Sequence, residues 1–338
     1  MRKVVLTGSM VALLASTALG DAWAGPSAAR VEIRKRSAGV GLRASRLTVL
    51  ARKPGEGDAV VARKLAAALK DKLGVRSAPG DFEEKVESRR LWLTGPDWTM
   101  QVADGGNSVK FRGQATQGRL PLGSKPSDAV IETNARNFIG LVLKDFVTLA
   151  PGEELVFLQT KFGYAQGQAV NGEVVNGTPD PAEITGYTAV FGRTVAGELV
   201  VGGGSTLAVL FNADGSLEGF DRDWPQYDKT TVQLDALDVT AIRARGKAMK
   251  LPAQAGDVEK EKGFECGYFD PGGRRRSKQS LVQPACIHSV VTTNAQSLSA
   301  GRQYVIPATR KPLTQTGWPE LTLLCSANST ACRAAPVQ

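Results

Sequence analysis

Histidine is almost absent from this chain: 338 residues contain one, His288. That scarcity excludes an H-E-x-x-H metallopeptidase helix, which needs two histidines one turn apart. A serine–histidine–acid triad would have to pass through His288, and no G-x-S-x-G elbow accompanies it. Cysteine is scarce too. The four are Cys266, Cys286, Cys325 and Cys332, all in the last quarter. Aromatic residues make up only 6%, and near the basic run "GGRRRSKQ" only Tyr268 and Phe269 occur, so a nucleic-acid surface with aromatics interleaved among basic residues is not expected. No lysine lies between Lys161 and Lys229. The glycine run Gly202-Gly203-Gly204 before Ser205 and Thr206 therefore lacks the lysine of a phosphate-binding loop. The residues after it, "STLAVLF", are strand formers rather than the start of a helix. The run is expected to be a turn or bulge.

Long apolar runs are also missing after the N-terminus. "MRKVVLTGSMVALLASTALGDAWAG" has a basic start, an apolar stretch over Val4–Leu19 and the small–x–small pattern Ala22-Trp23-Ala24. These are the parts of a secretory signal peptide, with cleavage expected after Ala24. The expected mature protein is secreted or periplasmic and carries no membrane-spanning segment. Removing residues 1–24 takes away Arg2, Lys3 and Asp21, which lowers the formal net charge of +9 by one. A basic exported protein can meet anionic envelope polymers or lipid headgroups.

In an exported chain an even cysteine count points to disulfides. Four cysteines allow three pairings, and the local one, Cys266–Cys286 with Cys325–Cys332, is favoured. The competing reading is a metal site using Cys266, Cys286 and His288, but its C-x19-C-x-H spacing lacks a C-x2-C knuckle. No metal or cofactor is expected. Asn176-Gly177-Thr178 and Asn328-Ser329-Thr330 match glycosylation acceptors.

Periodicity supplies the elements. "SRLTVLAR" reads as a strand. "AVVARKLAAALKDKL" carries Val60, Val61, Leu65, Leu69 and Leu73 at helical spacing, with Asp58 to cap it and Gly74 to stop it. Alternation around Asp104-Gly105 predicts a hairpin. "PSDAVIETNARNFIGLVLKDF" predicts a second helix, entered at Pro126-Ser127. "EELVFLQTKFGYAQG" reads as a strand, 166–185 as a polar loop, and residues 186–224 as an antiparallel meander turning at Ala196-Gly197, Gly202–Gly204 and Asp214-Gly215. "TVQLDALDVTAIRARGKAMKL" predicts a third helix. The expected division is a signal peptide over 1–24, an α+β region over 25–120, an α+β module over 121–252 and a β-rich, cysteine-containing region over 253–338. Strands grouped together rather than alternated with helices indicate α+β.

Within 126–250, Phe191-Gly192-Arg193, Gly197 to Val200, Gly203 to Ser205, Asp214-Gly215 and Trp224 form a sequence of strand, hairpin, Gly-Gly-Ser step and second hairpin. This resembles the secreted PepSY and fungalysin/thermolysin-propeptide modules. The resemblance implies a cystatin-like fold, a curved antiparallel sheet with a packed helix. It also implies a non-catalytic role: binding another exported protein, such as a peptidase that it restrains or chaperones. The residues expected to meet that partner are Phe191, Arg193 and Trp224, on a free sheet edge and hairpins of 187–227. Two other expectations compete with it. Arg274, Arg275, Arg276 and Lys278 in "GGRRRSKQ" would bind an anionic envelope polymer. Asp221 and Asp223, two apart on one face of a strand, would do acid–base chemistry as an uncharacterised hydrolase.

Overall fold

The structure is a computed structural model that describes residues 42, 44–75, 80–116, 118–165, 182–249, 258–272, 280–293 and 299–313. The signal sequence, Arg274–Arg276, Lys278, Cys325, Cys332 and both glycosylation motifs lie outside these residues.

The expected helix spacing holds at two places. Helix α1 (Asp58–Leu73) buries Val61, Ala62, Leu65, Ala66 and Leu69, the stripe that a 3.6-residue period dictates. Gly74 ends it in the left-handed conformation, φ 66°, where glycine carries no Cβ penalty. Asp58 does not cap its own helix. Its Oδ1 accepts from the Gly106 backbone N–H at 2.7 Å and ties α1 to a β-hairpin. Helix α2 (Asp128–Phe138) is capped by the Ser127 side chain, which accepts from Val130 N–H. It runs on into a π-turn, Ile139–Leu143.

The rest is strand: β1 (Arg46–Arg52), β2 (Glu83–Glu87), β3 (Arg90–Thr94), β4 (Thr99–Ala103), β5 (Ser108–Arg112), β6 (Leu120–Pro121), β7 (Glu153–Ala165), β8 (Glu183–Val195), β9 (Glu198–Gly202), β10 (Thr206–Asn212), β11 (Leu217–Asp223), β12 (Tyr227–Asp235), β13 (Val258–Asp270), β14 (Leu281–Thr293) and β15 (Ser299–Pro307). They join one mixed sheet in the order β12-β1-β14-β13-β9-β8-β10-β11-β5-β4-β3-β2, with β15 beside β14 and β6 and β7 beside β8. Helix α3 (Val239–Met249) completes the described elements.

This corrects the expected fold class. The chain is mostly β, with fifteen strands in one mixed sheet and three α-helices among the described residues, not a helix-packed α+β cystatin-like module. Two physical reasons account for the difference. Residues 227–235 form β12 paired with β1, so the helix expected from 231 begins only at Val239. The β-branched run Thr230-Thr231-Val232 favours the strand. The C-terminal strands are also not separate, because β13 pairs in parallel with β9 through Tyr268↔Val200, Phe269↔Val201 and Asp270↔Gly202. Such long-range pairing leaves no local trace in sequence.

Two main apolar cores follow. One lies between α1, α2 and the inner face of β3, β4, β5, β11, β10 and β8, with Leu93, Met100, Phe111, Phe220 and Phe191 buried against Leu65 and Ile131. The other gathers Leu50, Ile242, Phe264, Cys286, Tyr304 and Ile306.

Candidate functional site

Period-two alternation sends Tyr187, Ala189, Phe191 and Arg193 of β8 to the same side. Phe191 and Arg193 are fully buried and Trp224 is 2% exposed. The three residues expected to meet a partner therefore form no surface. Nor is 187–227 an edge: β8, β10 and β11 are interior strands.

They build a buried polar seam instead. The Arg193 guanidinium carbon lies 4.1 Å from the Trp224 ring centroid and 5.1 Å from that of Tyr227. Its Nη1 is 3.5 Å from Glu153 Oε2. Burial lowers the Arg193 pKa, while Tyr227, Glu153 and Asp270 act in the opposite direction. Tyr227 OH donates to Asp270 Oδ2 at 2.8 Å and stands 2.9 Å from the Ser205 hydroxyl, which is left to donate to it. Asp270 Oδ1 accepts from Gly272 N–H at 2.9 Å, and Arg52 Nε lies 3.6 Å from Oδ2. Burial, then the Asp270 charge, pushes the Tyr227 phenol well above its ordinary value. Nearby, Arg222 donates to the backbone oxygens of Phe146 and Gly106. Burial first, then Arg193, lowers its pKa to about 10. Trp224 Nε1 donates to Thr148 O at 3.0 Å. The Arg193, Trp224, Tyr227, Ser205, Asp270 and Arg222 side chains are buried, and the arrangement ties elements of the fold together.

The glycine run is part of the same seam. A Cβ on Gly202 would stand 2.2 Å from Asp270 O, and one on Gly204 would stand 2.1 Å from Asp270 Cγ. Gly202 also has φ +102°. The run is a turn, as its sequence suggested, and its small size lets the chain pass against the end of β13.

The other expected residues fall out as follows. Cys266 and Cys286 are directly opposite in the β13–β14 ladder and joined by a disulfide. That removes the proposed metal site with His288, because disulfide sulfurs are not thiolate ligands. His288 Nε2 lies 3.0 Å from Glu261 Oε2, which also receives Arg243 Nη1 at 3.0 Å. Among the described residues no group of three or more His, Cys, Asp or Glu is placed to hold a metal. Asp221 and Asp223 do share a face of β11, but Asp221 is engaged by Arg112 Nη1 at 2.7 Å and Lys110 Nζ at 3.8 Å. No described helix is long and apolar enough to cross a membrane.

What stays open is a face. Opposite the first core, the outward residues of β3, β4 and β5 are half-buried or exposed in strict alternation with buried ones, and the pattern continues in β11 and β10 except at the buried Gly219 and Asn212. Register aligns Lys85, Trp92, Gln101, Lys110, Asp221 and Ala208 in one row across six strands. Helices α1 and α2 lie on the other side, and the main contacts of β3, β4, β5 and β11 with other described elements are to their ladder neighbours and to α1. The sheet ends are less open to a partner strand. At one end, β2 reads Glu-Glu-Lys-Val-Glu; at the other, β12 bulges against β1 between Lys229 and Gln233. Charge and bulges both blunt edge pairing.

No family model matches the chain, and no curated protein matches it. Among solved structures it is similar to an uncharacterized protein from Eubacterium rectale. That likeness is 10% identical, covers 80% of this chain and 87% of that one, and has a TM-score of 0.47. A likeness of that size carries no argument about function.

Proposed function

We propose that this is an exported, non-catalytic binding protein that recognises its partner with the open face of the sheet. The observation that carries the reading is the row Trp92–Gln101–Lys110–Asp221, on the side of the sheet away from α1 and α2 and on strands whose alternate residues pack into the first core. Binding surfaces built on strands of a packed scaffold are pre-organised and lose little entropy on association. Export is supported by the N-terminal sequence and by the Cys266–Cys286 disulfide, which suits an oxidising compartment. The non-catalytic reading is supported by the burial of the Arg193, Ser205 and Asp270 side chains and by the engagement of Asp221 with Arg112 and Lys110.

A photoreactive amino acid at Thr99, exposed on the open face, tests this when compared with one at Lys64 on the outer side of α1. Irradiated in the native exported fraction, the Thr99 probe is expected to give discrete adducts and the Lys64 probe none. Equal adduct patterns, or none from Thr99, would overturn the assignment of the face.

A further inference from the structure

We infer that the open face binds an uncharged, hydroxyl-rich polysaccharide, with Trp92 as the stacking platform; this rests on the proposed role of the face and names its ligand class. Leu91 and Leu93 point into the first core, so Trp92 between them points outward. Half-buried there, it stands in the row between Lys85 and Gln101, on the side of the sheet away from α1 and α2. An indole presents a broad apolar plane with a polar N–H at its rim, which matches the C–H face of a pyranose ring. The residues around it are hydrogen-bonding groups of both kinds. On its own and the next strand Arg90 donates and Thr94 and Thr99 do both; two and three strands along the row Lys110 donates and Asp221 accepts.

The charge pattern selects an uncharged ligand. By register the face carries Lys85, Arg90, Lys110, Arg112 and Lys161 against Glu83, Glu87, Asp221 and Asp223. The cations are engaged locally. Lys85 is 3.3 Å from Glu87, and Asp221 takes both Lys110 and Arg112. With the Gln101 amide oriented so that its oxygen faces Arg90, that oxygen accepts from Nε at 3.0 Å and Nη1 at 2.9 Å. A polyanion site needs an unbalanced positive field, and here the signs nearly cancel. A single-stranded nucleic acid wants several aromatic planes, and in this row Trp92 is the one aromatic. A sugar chain needs neither, and its hydroxyls bridge paired cations and carboxylates without breaking a charge balance.

The test follows the indole N–H resonances of the 15N-labelled mature protein as cellohexaose, chitohexaose or maltohexaose is added. Trp92 is assigned by Trp92→Phe. One of the hexaoses is expected to shift the Trp92 resonance saturably, while the buried Trp98 and Trp224 stay fixed. Trp92→Ala is expected to weaken that binding at least tenfold. Gln101→Ala, which removes no core contact, is expected to weaken it about threefold and keeps the test valid if Trp92→Ala fails to fold. If none of the three moves the Trp92 resonance, the inference is wrong. It is equally wrong if only a heparin hexasaccharide or oligothymidylate does so, with affinity lost as salt rises. Adducts from the Thr99 photoprobe would then still uphold the face as the binding surface, so the two readings fail separately.

Discussion

Arg193 and Trp224 are stacked inside the protein, guanidinium carbon to ring centroid 4.1 Å, with Glu153 3.5 Å from Arg193 Nη1. The pair joins β8 to the segment after β11, and Tyr227 and Asp270 extend it to β13. A fully buried arginine is tolerable only with its charge compensated and its planes packed.

Arg193→Ala removes the cation and leaves Glu153, itself nearly inaccessible, without its ion-pair partner. The expected loss is about 3–5 kcal/mol in chemical denaturation. Combining Arg193→Met with Glu153→Gln removes both charges and keeps volume, so the double variant is expected to be more stable than Arg193→Ala. If the double variant were no better, the stacking on Trp224, rather than the charge pairing, would be the dominant contribution.

Gly204→Ala is expected to be severely destabilising, because its Cβ would stand 2.1 Å from Asp270 Cγ, which is itself held by Tyr227 and Gly272. Gly123→Ala, which meets nothing within 4 Å, serves as the control and is expected to change stability by less than about 0.5 kcal/mol. Thermal unfolding of the two variants checks the contrast. A Gly204→Ala protein as stable as the parent would show that the seam yields there.

Much of the first core was legible because its signals are local. The α1 stripe, the Gly74 stop and the hairpins at Asp104-Gly105 and Asp214-Gly215 all reside within a few neighbouring residues. The same alternation places Phe191 and Arg193 on one side of β8, so their shared burial was readable; the resemblance to the propeptide modules put both on a binding surface instead. The β9–β13 pairing and the contact of Gly204 with Asp270 were not readable, since each joins residues far apart in the chain. The open face was hidden for another reason. Trp92, Gln101 and Lys110 sit on three different strands, and only register puts them in one row.

The Cys266–Cys286 bridge spans the β13–β14 hairpin, a sequence separation of 20. Replacing both cysteines with alanine is expected to cost about 2–4 kcal/mol, since the cross-link restricts the unfolded chain. Denaturation of the oxidised parent against the double alanine variant measures this. A difference under about 0.5 kcal/mol would mean that the thirteen-residue strands β13 and β14 hold their register unaided.

Glu261 gives the β13–β15 part of the sheet an acid limb. It bonds Arg243 of α3 and His288 of β14, and the hydrogen bond from Arg243, opposed by modest burial, holds its pKa below the ordinary 4.5. A depressed carboxylate contributes stability that is fully present above 4.5 and disappears as pH falls through the lower, folded value. Because Glu261 and Arg243 are both nearly half exposed, solvent screening limits the contribution to about 0.2–1 kcal/mol. Glu261→Gln is therefore expected to be less stable than the parent at pH 7 by that amount, with the gap closing as pH falls through the lowered pKa of Glu261. Urea midpoints of both proteins at pH 7, 5 and 3 decide the matter. If the gap between them stays constant across that range, the pair does not titrate with folding, and the tie between α3 and the sheet rests on the stacking of Arg243 over Phe264, whose guanidinium carbon lies 4.2 Å from the ring centroid.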